Sequence, residues 1–181
     1  MTISNRESFF IIFLLTICSS FNVFADSRKF LYRGSFTKET YLIDQTTPTE
    51  GFVTFGGDRR ALTKFCGTES KYFCFDSFGI AFYVPKNLNE SSTSWTVDNL
   101  TFSVSGKNVS FELLGQTYTD LYIISGPINL FPIPYNYIEM KFIYSQAYGL
   151  LGFSYFDDTR VFWSEKAYGF GKKICDVDRH C

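Results

Sequence analysis

The chain has 181 residues with 17 basic and 18 acidic side chains, so its formal net charge is −1. A nearly neutral chain lacks the basic excess of proteins that bind nucleic acid or anionic membranes, and we therefore expect no nucleic-acid partner. Aromatic residues make up 20% of the chain and charged residues only 19%. This composition favours the pleated, half-buried surfaces of β-sheets.

The first 25 residues have the features of a secretory signal peptide. Arg6 lies in a short polar stretch, and an apolar run extends from Phe9 to Ile17. Val23 and Ala25 occupy the two positions that signal peptidase reads before its cleavage site. The apolar run is well short of the ~20 residues that a membrane-spanning helix needs.

We predict cleavage after Ala25 and export to the periplasm or the extracellular space, which leaves residues 26–181 as a single β domain without a membrane-spanning segment. Lipid anchoring at Cys18 is an alternative, but bulky Ile17 stands where a lipoprotein has a small residue. A buried N-terminal helix or strand is a second alternative.

Four cysteines follow the predicted leader, namely Cys66, Cys74, Cys175 and Cys181. An even number in an exported chain indicates two disulfides, and four cysteines allow three pairings. Loop entropy gives ~2–3 kcal/mol for each short link and nearer ~5 kcal/mol for a long one, so stability alone does not favour local pairing. We predict Cys66–Cys74 and Cys175–Cys181, because a hairpin over Phe65–Phe75 would bring the first two cysteines together.

Alternation of apolar and polar residues predicts a three-stranded antiparallel meander near the C-terminus. Its strands cover residues 138–144, 151–155 and 161–163, with a tight turn at Asp157-Asp158-Thr159. We expect the stretch from Gly169 to Lys173 to end the last strand, because it lacks the spacing and context of a phosphate-binding loop.

The rest of the chain predicts further short strands. Turns are expected at residues 105–108 and 115–116, a polar loop at 86–94, and a short helical turn at 59–65. The expected strands cover residues 30–36, 40–43, 52–55, 79–84, 100–104, 109–113 and 117–125. The fold class is therefore all-β, an antiparallel sandwich or small barrel of about nine or ten short strands.

Few residues suggest catalysis. His180 is the only histidine, and its place beside the last residue disfavours a nucleophile–histidine pair. Asp176, Asp178 and His180 would share one side of an extended tail and could bind a divalent metal. A solvated tail closed by a disulfide is the simpler interpretation. We expect no metal and no cofactor.

Carboxylates for glycoside hydrolysis are the other catalytic alternative. The adjacent pair Asp157-Asp158 lies in a predicted turn, where aspartate commonly bonds the local backbone. Glu112, Glu139 and Glu165 lie on predicted strands and face outward. We therefore expect no enzymatic activity, with a carboxylate-dependent hydrolase as the alternative.

Aromatic residues in a proline-rich loop are the main indication of function. Phe131, Ile133, Tyr135 and Tyr137 follow one another between prolines, and such a stiff loop presents apolar side chains to a partner. We expect a non-catalytic exported protein that binds a protein, glycan or cell-envelope component through this loop. A carrier of small apolar ligands with a hollow barrel is a further alternative.

Overall fold

A computed structural model describes residues 28–77, 80–127, 139–155 and 160–172, and these form a single antiparallel sheet of twelve strands. The all-β, antiparallel prediction is confirmed, with twelve strands instead of nine or ten. The strands are β1 (Arg28–Gly34), β2 (Thr40–Gln45), β3 (Glu50–Phe55), β4 (Arg59–Phe65), β5 (Tyr72–Ser77), β6 (Ile80–Pro85), β7 (Ser94–Val97), β8 (Leu100–Leu113), β9 (Gln116–Pro127), β10 (Glu139–Ser145), β11 (Gly149–Tyr155) and β12 (Arg160–Ser164).

The sheet consists of two up-and-down halves joined by the first and last strands. Its order is β6-β5-β4-β3-β2-β1-β12-β11-β10-β9-β8-β7. The pairing of β1 with β12 matches Tyr32 with Ser164, and it brings the first and the last strand side by side. The predicted C-terminal meander is β10, β11 and β12.

The sheet curves into a nearly closed, barrel-like shape whose remaining seam lies between β6 and β7. Side chains bridge this seam. The indole N–H of Trp95 on β7 donates a 3.0 Å hydrogen bond to the carbonyl of Tyr83 on β6. The Trp95 ring also stacks on Phe102, which packs against Tyr83 at 5.8 Å between ring centroids. Aromatic rings and the hydrogen bond of Trp95 therefore hold the seam.

Aromatic side chains fill the interior. Strand alternation sends every second residue inward, and large rings occupy these positions with essentially no exposure. Phe153 lies at the centre of one group, 5.4 Å from Tyr32, 5.1 Å from Tyr41 and 5.2 Å from Phe162. Many of the aromatic residues of this ring-rich chain therefore form a packed core. Each pair of rings stabilises the fold by ~0.5–1.5 kcal/mol beyond the contribution of the buried area.

A second, smaller cluster covers the outer face of β10–β12. The long hairpin of β8 and β9 bends over this face, so that Phe111 stacks on Trp163 with ring centroids 4.6 Å apart. Asn108 and Asp120 adopt positive φ angles of 51° and 57° beside irregularities in the β8–β9 register. Positive φ is tolerated best by asparagine and aspartate among residues other than glycine, and these two positions bend the hairpin.

Two sequence predictions are wrong in this part of the molecule, and one strand was not predicted. Residues 105–108 lie within β8 and do not form a turn, and residues 59–65 form β4 and no helical turn. The strand β7 was not predicted, because its four residues follow directly on a polar loop. In each case pairing with a neighbouring strand overrides weak local preferences.

Candidate functional site

An open cavity of about 830 Å³ lies at one end of the barrel-like sheet. The start of β1, the end of β2 and the end of β4 all reach this end, together with the residues that follow β12. Loops at the ends of barrel strands are common positions for ligand sites, and pockets that bind small ligands typically have ~300–1,000 Å³. The cavity is therefore large enough for a small-molecule ligand.

The residues that follow β12 form one wall of the cavity by crossing the end of the sheet. The N–H of Gly169 donates to the Tyr148 carbonyl, and the N–H of Leu150 donates to the Phe170 carbonyl, both at 2.8 Å. A Cβ atom on Gly169 would lie 1.6 Å from the Leu150 carbonyl oxygen, so only glycine allows this approach. We call residues 165–172 the crossing segment. The expectation that Gly169 to Lys173 ends the last strand is wrong, because β12 ends at Ser164.

The floor of the cavity is made of aromatic rings centred on Phe170 of the crossing segment. Its ring centroid lies 5.7 Å from that of Phe30, 5.5 Å from Phe65 and 5.3 Å from Phe75. Phe170 itself is only 5% exposed. The ring closes this end of the core and leaves an apolar surface at the bottom of the cavity.

Cys66 and Cys74 form a disulfide in the cavity wall, with their Cα atoms 5.3 Å apart. This is the pairing that the sequence favours, and it joins the end of β4 to β5 where the register pairs Phe65 with Phe75. The loop that it closes spans a separation of 8 residues. Cys175 and Cys181 lie outside the described residues.

Positive side chains surround the mouth of the cavity. Five lysine and arginine residues line it, and no aspartate or glutamate does. The five are Arg28, Lys29, Lys86, Lys166 and Lys172. Because acidic residues slightly outnumber basic ones in the whole chain, this mouth is a local concentration of positive charge.

Two of these positive side chains interact with oxygen atoms of the protein. Lys29 forms an ion pair with Asp44 at 3.4 Å. Lys86 donates a 2.6 Å hydrogen bond to the Thr68 carbonyl and lies over the Phe73 ring at 5.4 Å. In the part of the chain that the structure describes, no carboxylate lies within salt-bridge distance of Arg28, Lys166 or Lys172.

The carboxylates that sequence analysis considered for catalysis do not meet in this cavity. Glu112 and Glu139 are exposed on β8 and β10, and Glu165 forms an ion pair with Arg33. Asp157 and Asp158 lie outside the described residues, as do Asp176, Asp178 and His180. Among the described residues, no group of three His, Cys, Asp or Glu side chains could hold a metal ion.

A separate polar cluster lies on the seam between β6 and β7. Burial raises the pKa of Tyr83 to about 12, and the negative charges of Asp76 and Asp98 add to this effect. Burial also raises the pKa of Asp76, while Lys64 and the hydrogen bond from Tyr83 oppose that shift. Neither Asp76 nor Asp98 lines the cavity.

The residues of the predicted binding loop lie outside the described residues, namely Phe131, Ile133, Tyr135 and Tyr137. Sequence reasoning did not identify the mouth, whose positive residues come from positions between 28 and 172. The stretch Gly169-Phe170-Gly171-Lys172 was the one local signal, since two glycines beside an aromatic residue and a lysine indicate an unusual backbone path.

None of the described residues belongs to a helix with the length and apolar character required to cross a membrane. No protein-family model matches the chain, and no curated protein or solved structure is significantly similar to it.

Proposed function

We propose that this chain is an exported, non-catalytic binding protein that holds a small ligand in the cavity at the open end of its barrel-like sheet. The observation that carries the proposal is the combination of an 830 Å³ cavity, an aromatic floor and a polar mouth. Concave sites of this kind bury most of a ligand against apolar walls, and a few polar groups orient it.

The scaffold supports a binding role because the cavity wall is tied to the core. Phe170 belongs to the floor of the cavity and also packs on the core rings Phe75 and Phe82. The disulfide and the crossing segment form two further walls of the cavity. A preorganised site loses little conformational entropy when a ligand binds, which favours affinity.

Export is part of the proposal. The Cys66–Cys74 disulfide is compatible with an oxidising compartment, where such bonds persist. The leader over residues 1–25 supplies the route, so expression in a secreting host should yield a mature chain that begins at Asp26. Mass spectrometry of the secreted protein tests this, and an intact N-terminus would contradict it.

The binding proposal is tested with phenyl naphthylamine, a neutral aromatic dye that fluoresces when it leaves water. Thr68 is exposed at the cavity wall, so Thr68→Trp places an indole in the space available to a ligand. We expect the wild-type protein to bind the dye and Thr68→Trp to weaken binding at least about tenfold, a loss of about 1.4 kcal/mol.

Thr117→Trp is the matched control, because Thr117 is exposed on β9 and does not line the cavity. It should bind the dye as the wild type does. The proposal fails if both tryptophan variants bind the dye equally well, or if the wild type binds neither this dye nor its anionic analogue.

A further inference from the structure

We infer that the cavity selects a free amphiphilic anion, a molecule with an apolar body and one carboxylate, sulfate or phosphate group. This inference rests on the proposed binding function and specifies its ligand. It follows from the arrangement of two surfaces that meet in one cavity, an aromatic floor and a positively charged mouth.

Two positive groups of the mouth share one aromatic ring. The ammonium groups of Lys166 and Lys172 both lie over the Tyr168 ring, at 5.6 Å and 4.8 Å from its centroid. Tyr168 is 37% exposed, so the ring faces the mouth and is not part of the core. Attraction to the ring face holds each ammonium in place, but the two positive charges repel each other.

No carboxylate of the described residues relieves this repulsion, since none lies within salt-bridge distance of Lys166 or Lys172. Arg28 adds a third positive group to the same cavity lining. A bound anion would be attracted by all three groups. Charge-assisted hydrogen bonds from lysine and arginine to an oxyanion are roughly twice as strong as neutral ones.

The floor requires that the anion carry an apolar body. The buried rings of Phe170, Phe30 and Phe65 each expose 5–8% of their surface in the cavity lining. The less buried rings of Phe73 and Tyr168 add carbon surface to the same lining. An inorganic anion or a fully hydroxylated sugar sulfate would leave this surface in contact with water. An alkyl chain or aromatic ring would displace that water, and the removal of apolar surface from water would favour binding.

The concave shape favours a free molecule over a membrane surface. Walls stand on several sides of the mouth, formed by the disulfide, the turn between β2 and β3 and the crossing segment. A flat bilayer could not reach the floor between these walls. We therefore commit to a monomeric ligand that enters with its apolar part first.

Two dyes that share the same ring system test the inference. Anilinonaphthalene sulfonate is phenyl naphthylamine with a sulfonate added, so the pair differs by one negative charge. We expect the anionic dye to bind the wild-type protein about tenfold more tightly than the neutral one. Added salt should weaken only the anionic dye, because screening acts on exposed charges.

The variant Lys166→Gln/Lys172→Gln should bind the anionic dye about tenfold more weakly and change the neutral dye less than twofold. Lys38→Gln/Arg59→Gln is the matched control, because both residues are exposed, neither lines the cavity, and the net charge changes equally. This control should bind both dyes as the wild type does. Near-ultraviolet circular dichroism verifies that each variant is folded.

The outcomes separate this inference from the proposed function. If the wild type binds both dyes with equal affinity and Thr68→Trp still weakens the binding of both, the selection of an anion is wrong. The proposed binding function would not be affected by that result. Failure of both dyes to bind would remove both proposals. Monomeric dodecanoate should displace the anionic dye. If only a sulfated oligosaccharide, or only vesicles of anionic phospholipid, displace the dye, the inference of a free amphiphilic ligand is wrong.

Discussion

The hydroxyl of Tyr32 joins β1 to the crossing segment, because it accepts a 3.0 Å hydrogen bond from the backbone N–H of Phe170. The same hydroxyl donates a 2.9 Å hydrogen bond to the Leu150 carbonyl on β11. Tyr32 is fully buried. One side chain therefore satisfies two buried backbone groups and positions the ring that forms the floor of the cavity.

Tyr32→Phe should lower the free energy of unfolding by about 1–3 kcal/mol, because it leaves the Phe170 N–H without its partner in the interior. Urea unfolding measures this loss. Tyr118→Phe is the control: the Tyr118 hydroxyl is buried and has no hydrogen-bond partner among the described residues, so its removal should cost less than about 0.5 kcal/mol. Equal losses in the two variants would contradict the role of Tyr32.

Gly169→Ala should displace the crossing segment, because the new Cβ would collide with the Leu150 carbonyl oxygen. Release of Phe170 from its ring contacts would cost about 3–5 kcal/mol, as for loss of a buried phenylalanine. Limited proteolysis should then cut within residues 165–172, and dye binding should weaken.

Gly115→Ala is the control for Gly169→Ala. Gly115 also departs from ordinary strand geometry, with a φ of 72°, but no atom would lie within 4 Å of its Cβ. The free energy of unfolding of this variant should fall only by the ~1–2 kcal/mol that a left-handed conformation costs a residue with a Cβ atom. Its dye binding should be unchanged. Resistance of Gly169→Ala to proteolysis would contradict the predicted displacement.

Cys66→Ser/Cys74→Ser should lower the free energy of unfolding by about 2–3 kcal/mol, which is the loop entropy expected for a short link. Reductant should destabilise the wild-type protein more than the double variant, in which only the predicted Cys175–Cys181 link can still be reduced. Denaturant unfolding with and without dithiothreitol measures both effects. A wild-type protein indifferent to reductant would show that this link contributes no stability.

Stability should decline at alkaline pH because buried tyrosines resist ionisation in the folded protein. Burial raises the pKa of Tyr32 and Tyr144 above the usual range, and burial with two nearby carboxylates raises the pKa of Tyr83 to about 12. Unfolded tyrosine has a pKa near ~10. The stabilising effect is therefore complete below pH ~10, and it is lost as pH rises through the folded-state values.

Phenolate absorbance and circular dichroism, followed together, should show one group of tyrosines that ionises only as the protein unfolds. Asp76→Asn should lower the pKa of Tyr83, because it removes a nearby negative charge and replaces the charged acceptor of the hydroxyl with a neutral, weaker one. Ionisation of all tyrosines near pH ~10 without loss of structure would contradict the assigned burial.

Strand alternation was sufficient to predict much of the fold. Phe142 and Tyr144 alternate with polar or outward residues, and both are fully buried in β10. The local Cys66–Cys74 link also followed from a short hairpin pattern. Where a strand is short or has an irregular register, as in β7 or around Asn108 in β8, local preferences were misleading, because the partner strand determines the outcome.

The amino-acid sequence by itself determined that the described residues form antiparallel strands with aromatic side chains inside, because a two-residue period and ring-rich composition are local properties. Only the tertiary structure decided that β1 pairs with β12, that Phe170 turns back into the core, and that Arg28 and Lys172 line one cavity. These contacts join residues that are far apart in the chain, and no short stretch of sequence encodes the curvature that brings them together.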